Sequence, residues 1–337
     1  MHIEENKSLK KLNTFNIECN ARRFAEISTV QELKEILRTH SNETLFILGG
    51  GSNLLLTKDI DALVLHVNLK GISIVSETND HVIIEVMAGE NWHELVLFCI
   101  ANNFGGIENL SLIPGNVGTA PIQNIGAYGV ELSDVFVSCK TIEIATLKEE
   151  NILKEDCEFS YRNSIFKNKA KGKYIITSIS VKLTKVNHKL DISYGAIKDI
   201  LAFRNITNPT IKDVSDAVIE IRNTKLPDPS VLGNSGSFFK NPIVDQKSFT
   251  ALRSNHPDIP FYEVSPQEIK LPAAWLIERA GFKGKRFGDA GVHENQALVL
   301  VNHGDATGNE IWGLAMKIQK TVGELFGVHL EPEVNIV

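Results

Sequence analysis

Thr44-Leu45-Phe46-Ile47-Leu48-Gly49-Gly50-Gly51-Ser52-Asn53 is the stretch on which the fold turns. A short apolar run, Thr44–Leu48, reads as a strand and ends in three consecutive glycines. Bare backbone N–H groups there can approach an anion closely, and Ser52 and Asn53 add donors. No Gly-Lys-Ser/Thr follows, so this is not a P-loop. Gly49 and Gly51 fit two positions of the dinucleotide fingerprint, but Leu54 occupies the third. A tight structural turn is the competing reading.

Strands and helices alternate around this turn. Arg23–Ile27, Ala62–Val67, Ile72–Ser76 and Val82–Ala88 read as strands. Val30–His40 has helical spacing at Leu33, Ile36 and Leu37, with Ser28 or Thr29 as cap. Trp92–Asn102 reads as an amphipathic helix that stops near Gly105-Gly106. A long Gly/Pro/Asn/Ser segment, Asn109 to Gly129, follows, and long loops inside compact domains are usually functional. Within it, Pro114-Gly115-Asn116-Val117-Gly118-Thr119 forms a second glycine-spaced loop, continuing through Gln123-Asn124-Ile125-Gly126-Ala127-Tyr128. Two such loops can flank one extended ligand, or can be a packed surface feature.

Further along, Cys139–Ala145, Lys173–Leu183, Gly236–Ile243, Gln296–Val301 and His329–Val337 read as strands. Ile211–Arg222, Leu271–Ala280 and Glu310–Phe326 read as helices. Leu226-Pro227-Asp228-Pro229 is a turn-rich break and the first candidate boundary. The pattern is mixed α+β over several domains, as 337 residues suggest.

Composition narrows the function classes. A net charge of −6 argues against a nucleic-acid partner, which needs a basic patch. No apolar stretch reaches the ~18–20 residues that span a bilayer. The four cysteines are unpatterned, and the histidines lack metal spacing, so no metal is expected. The expectation is a reduced, cytoplasmic protein.

Three further motifs carry chemistry. Tyr161-Arg162-Asn163-Ser164 sets a guanidinium beside an aromatic hydroxyl, suited to carboxylate recognition if enclosed, and otherwise a surface pair. Gly236-Ser237-Phe238-Phe239 is not a nucleophile elbow, and Ser237 is a proton donor or a strand-edge hydroxyl. Glu331-Pro332-Glu333 lies in a tail whose neighbours alternate like a packed strand.

Taken in order along the chain, these motifs resemble one family, the UDP-N-acetylenolpyruvoylglucosamine reductases (MurB) of peptidoglycan precursor synthesis. Leu12-Asn13-Thr14-Phe15, Gly49–Leu55, Pro121–Gly129, Tyr161–Ser164, Lys225–Pro229, Gly236–Pro242, Gln296–Leu300 and Leu330–Val334 carry the resemblance. It implies an α+β fold: a two-part FAD-binding fold of the vanillyl-alcohol-oxidase (PCMH) type plus a separate α+β substrate-binding domain. The implied division is 1–70 and 71–224 for the two FAD-binding parts, the second joined by the C-terminal strand 331–337, and 225–330 for the substrate domain. Asp191-Ile192-Ser193-Tyr194-Gly195 resembles the tyrosine-bearing segment of the longer family form.

The resemblance implies NADPH-dependent, FAD-mediated reduction of the enolpyruvyl ether of a UDP-sugar. Arg162, Ser237 and Glu333 would be catalytic. FAD would be held by Gly49, Gly50, Gly51, Ser52, Asn53, Leu54, Pro114, Gly115, Gly118, Thr119, Gln123, Asn124 and Gly126. Tyr128, Tyr194, Lys225, Asn241 and Gln296 would hold the substrate, with Tyr194 over the diphosphate and uracil. A monomer is expected. In this scheme Arg162 pairs with the substrate carboxylate. Glu333, protonated or hydrogen-bonded, helps polarise it, and Ser237 protonates the carbanionic carbon. Two alternatives stand beside it: another FAD oxidoreductase or oxidase of the same fold, and a nucleotide-sugar-binding protein without turnover.

Overall fold

The computed structural model describes residues His2–Val337. The chain divides into two compact units. The first holds residues up to Lys7, Ala21–Gly50 and Ile60–Arg222; the second holds Ser8–Asn20, Gly51–Asp59 and Asn223–Val337. The glycine triplet thus lies where the chain passes from one unit to the other.

The first unit contains two large sheets and a two-residue pairing of Gly126–Ala127 with Val130–Glu131. In the four-stranded one the order is Glu4–Ser8, Asn20–Ile27, Ile60–Val67, Leu45–Leu48. Ile60–Val67 runs parallel to both of its neighbours. The helix Val30–Thr39 links two of these strands. Thr29 caps it in a reciprocal box with Glu32, which satisfies two otherwise orphaned amides. Its Leu33, Ile36 and Leu37 are buried with Ile27, Leu63 and Leu65.

The five-stranded sheet is antiparallel, in the order Glu149–Leu153, Phe136–Glu143, Tyr174–Thr184, His81–Met87, Ile72–Glu77. Tyr174–Thr184 is central and buried on both faces, so its apolar run needs no strict alternation. The helix Trp92–Ala101 covers this sheet, with Trp92, Leu95, Val96 and Cys99 inward. The Trp92 indole N–H donates to Leu110 O at 3.1 Å and so pins the start of the second glycine loop. The helices Gly195–Phe203 and Ile211–Lys225 form a separate cluster through Ile197, Leu201, Val218 and Ile221, with Tyr128 packed against it.

The second unit is built on an antiparallel sheet in the order Gly233–Ser237, Val299–Asn302, Ala290–Val292, Arg286–Phe287. The helix Gly308–Phe326 packs its buried Ile311, Leu314, Ala315 and Ile318 into the same core. Ile243–Asp245, Glu268–Lys270 and Tyr262–Ser265 make a smaller sheet.

Two sequence expectations change here. The strand expected at 236–243 is two short strands, Gly233–Ser237 and Ile243–Asp245, separated by Phe238–Pro242. Pro242 has no amide to donate to a ladder. The tail expected as a strand over 329–337 forms one bridge, Phe239 to Pro332, and a two-residue strand, Asn335–Ile336, parallel to Leu54–Leu55. All four cysteines are buried and unbridged. Among the described residues, no helix is long and apolar enough to cross a membrane.

Candidate functional site

In the first unit the two glycine loops meet. A Cβ on Gly50 would lie 2.8 Å from Asn116 Oδ1 and 2.9 Å from Gly115 Cα, and one on Gly49 would lie 2.5 Å from Thr119 Cγ2. Real Cβ contacts do not come this close, so glycine is what lets the loops close on each other. Gly118 sits at 2.4 Å from Ala88 Cβ by the same construction, which fixes the second loop to the end of the strand His81–Met87.

Among the described residues, the amides of Gly49, Gly50, Gly115 and Asn116 donate no hydrogen bond. Backbone donors left bare in a loop pair suit an extended anion such as a diphosphate. This is the observation on which the residues fit FAD.

Asn124 behaves differently. It is fully buried at φ 45°, and its side chain is taken up within the protein. Nδ2 donates to Glu131 Oε2 at 2.6 Å and to Ser160 O at 3.3 Å, and Oδ1 accepts from Ser133 N at 2.9 Å. What Asn124 offers a ligand is therefore the shape of the loop. Gln123 Oε1 accepts from Lys167 Nζ at 3.3 Å.

Arg162 sits at φ 54°, its guanidinium 5.4 Å from the Tyr161 ring centroid. Nη2 donates to Gly126 O at 2.8 Å. Two residues on, Tyr128 also has positive φ, 51°, and its ring meets Tyr194 edge to face at 5.0 Å. Tyr194 is itself exposed. Burial raises the Tyr128 hydroxyl above its ordinary range, opposed by a hydrogen bond from Arg222. A guanidinium can only donate, so the Tyr128 oxygen accepts and its own O–H stays available.

Arg222 has no place among the sequence candidates. Its Nε is shut off from solvent with no hydrogen-bond partner. Burial lowers its pKa, and Arg162 lowers it further. A lone arginine in a helix reads as a solvated charge, so the sequence holds little signal for it. Its nearest sign is its place one helical turn before Lys225, which ends the same helix and is exposed.

The second unit gathers Ser52, Asn53, Ser237 and Glu333. Ser235 Oγ donates to Ser52 O at 2.5 Å, and Asn53 Nδ2 donates to Glu333 O at 3.3 Å. Glu333 N donates to Phe238 O at 2.8 Å, which sets Glu333 against the residue after Ser237. Leu54 opens the strand that pairs with the chain's end.

The register of Gly233–Ser237 slips between Asn234 and Ser237, at Gly236 with φ 68°. The Asn234 side chain holds this bulge, accepting from Gly236 N at 3.0 Å and donating to Leu232 O at 2.8 Å. A bulge re-aims the side chains beside it. Ser237 is half-buried, and its hydroxyl makes no hydrogen bond among the described residues.

Asn241 Oδ1 accepts from Ala273 N at 3.0 Å, capping the helix Ala273–Arg279, so its side-chain N–H2 is the part left for a ligand. Gln296 Oε1 accepts from Leu298 N at 3.3 Å. The candidates therefore fall in two groups. Gly49, Gly50, Pro114–Gly126, Tyr128, Arg162 and Tyr194 belong to the first unit. Gly51–Leu54, Lys225, Ser237, Asn241, Gln296 and Glu333 belong to the second.

Parallel pairing in one sheet, an antiparallel second sheet, facing glycine loops and a separate α+β unit give a mixed α+β fold whose paired loops suit FAD. An FAD binding domain model matches residues 21–150, and a model for the C-terminal domain of UDP-N-acetylenolpyruvoylglucosamine reductase matches 228–337. The 6-hydroxy-D-nicotine oxidase of Arthrobacter nicotinovorans shares the fold, with a TM-score of 0.51 and 11% identity over 97% of this chain and 86% of that one. The UDP-N-acetylenolpyruvylglucosamine reductase (MurB) of Thermus caldophilus aligns over 100% and 99% of the two chains, at a TM-score of 0.70 and 22% identity.

Proteins named UDP-N-acetylenolpyruvoylglucosamine reductase are similar at full length. That of Flavobacterium johnsoniae is 59% identical, and that of Amoebophilus asiaticus 50%, each over 100% of both chains. The chain belongs to the UDP-N-acetylenolpyruvoylglucosamine reductase family.

Proposed function

We propose that this chain reduces the enolpyruvyl ether of UDP-N-acetylglucosamine to UDP-N-acetylmuramate for peptidoglycan synthesis, with FAD as cofactor and NADPH as the source of hydride. FAD, when bound, carries the hydride from the nicotinamide to the enolpyruvyl group. Gly49–Leu54 and the loop Pro114–Gly126 would hold the cofactor, and the bare amides of Gly49, Gly50, Gly115 and Asn116 are donors suited to its diphosphate.

The protein's own part is to bind, orient and move a proton. Arg162 pairs with the substrate carboxylate and counters the charge that reduction leaves there. Glu333 adds polarisation. Ser237 gives a proton to the carbon next to the carboxylate. Tyr128, Tyr194, Lys225, Asn241 and Gln296 bind the UDP-sugar. The functional division proposed is 1–70 and 71–224 for the cofactor and 225–330 for the sugar nucleotide, with 331–337 supplying Glu333. A monomer in the cytoplasm fits this role.

The observation that carries this reading is the bulged turn at Gly236, which presents the unbonded Ser237 hydroxyl beside the segment bearing Glu333. It is tested by incubating the purified protein with NADPH and the enolpyruvyl ether and identifying the product by mass spectrometry. The saturated lactyl ether is expected. Consumption of NADPH with dioxygen, and no lactyl ether, would identify an oxidase instead.

A further inference from the structure

We propose that Arg222 is an anion-binding residue for the enolpyruvyl carboxylate, acting beside Arg162. The proposal rests on the reading of function above.

The helix Ile211–Lys225 carries Ile221, 3% exposed, into its own core, and Arg222 follows directly. The guanidinium Nε is enclosed and without an acceptor. The contact made by its head is the Tyr128 phenol, a neutral group that compensates no charge. Among the described residues no Asp or Glu pairs with it, and the charged side chain that acts on it is another cation, Arg162. A guanidinium whose Nε is shut off from solvent without an acceptor, beside a like charge, is costly unless an anion completes it.

Geometry narrows the anion. Arg162 is fixed on Gly126 O at 2.8 Å, and the Tyr128 that engages Arg222 lies two residues further along the same segment. Both guanidiniums are therefore tied to Gly126–Tyr128. A planar carboxylate with two acceptor oxygens suits two planar forks, and each fork is worth more there than a point charge. A purely structural role, holding Tyr128, predicts different behaviour. Removing Arg222 would then unsettle Tyr128 and lower the stability of the ligand-free protein.

The test titrates FAD-loaded enzyme with two ligands, read by the perturbation of flavin absorbance without NADPH. One ligand is the enolpyruvyl ether; the other is UDP-N-acetylglucosamine, which lacks the carboxylate. In Arg222→Met, affinity for the enolpyruvyl ether should fall at least about 10-fold while UDP-N-acetylglucosamine binds as before. The ligand-free melting temperature should hold or rise. Arg222→Lys should recover part of the loss.

Equal weakening of both ligands, or of neither, overturns the proposal. So does a loss of FAD with the ligand preference intact, which would assign Arg222 to the cofactor. If Arg222→Met does not fold, Arg222→Lys decides alone, and a wild-type preference in it also overturns the proposal. A wild-type enzyme that neither prefers nor reduces the enolpyruvyl ether would instead overturn the function proposed for the chain.

Discussion

At the scale of single residues, Ser237 makes the sharpest demand. A serine hydroxyl is a weak acid and gives up its proton only to a strong base, such as the carbanionic carbon left by hydride addition. Hydride transfer and protonation are then separable. Ser237→Ala should still be bleached by NADPH at a near-normal rate, while reoxidation by the enolpyruvyl substrate falls at least about 100-fold. Stopped-flow absorbance of the two half-reactions checks this, and a variant within a few-fold of wild type in both leaves Ser237 a strand-edge hydroxyl. Arg162→Lys keeps charge but loses the fork. It should spare flavin reduction and slow reoxidation, whereas equal loss in both halves would mark Arg162 as structural. Ser237 and Arg162 stand out as candidates because each sits in a distinctive local string, and the half-reactions above test their roles. Arg222 does not stand out in the sequence, because its enclosed Nε and its contact with Tyr128 arise from long-range packing that no local string records.

At the scale of elements, the bulge at Gly236 is the device that aims Ser237. Open space surrounds Gly236, with nothing within 4 Å of a built Cβ, so Gly236→Ala meets no clash. Its cost is the left-handed φ, roughly 1–2 kcal/mol. The bulge should relax to relieve it, and the protonation step should drop about tenfold or more while unfolding in urea shifts only modestly. Wild-type turnover in Gly236→Ala would contradict the aiming role.

The Tyr194 segment offers a test by pH. Ser193 donates to Asp191 Oδ1 through its hydroxyl at 2.7 Å and its amide at 2.9 Å, and these bonds hold the Asp191 carboxyl below its ordinary range. A depressed carboxyl stabilises the folded form above its unfolded pKa, about 3.9, and loses that contribution as pH falls through the folded value. The protection factor of the Ser193 amide, the intrinsic exchange rate divided by the observed rate at the same pH, should therefore be high at neutral pH and fall below the ordinary aspartate range. Asp191→Asn should lower it at neutral pH and raise KM more than it lowers kcat. Unchanged protection and KM would detach Tyr194 from this turn.

The elements themselves were read unevenly for physical reasons. The helix at 30 was legible from Thr29, Glu32 and three spaced apolar residues, which together are a complete start signal. The 236–243 strand was overread because alternation alone does not reveal a bulge or what Pro242 withholds. The tail after His329 alternates as a strand does, but finds a partner strand for only Asn335–Ile336.

At the scale of the whole molecule, the mixed α+β class followed from the alternation of strand and helix through the first hundred residues. The path of the chain did not. Residues 8–20 and 51–59 belong to the second unit although the sequence around them is the first unit's. Such membership is set by long-range pairing, of the kind that joins Leu54–Leu55 to Asn335–Ile336.

The central claim is that one chain takes hydride from NADPH and delivers it, by way of FAD, to an enolpyruvyl ether. An anaerobic titration of the purified protein tests it most directly. NADPH should bleach the flavin band, and the enolpyruvyl ether of UDP-N-acetylglucosamine should restore it in proportion to the amount added, with no oxygen present. A colourless protein, or a flavin that stays bleached until air is admitted, would contradict the account.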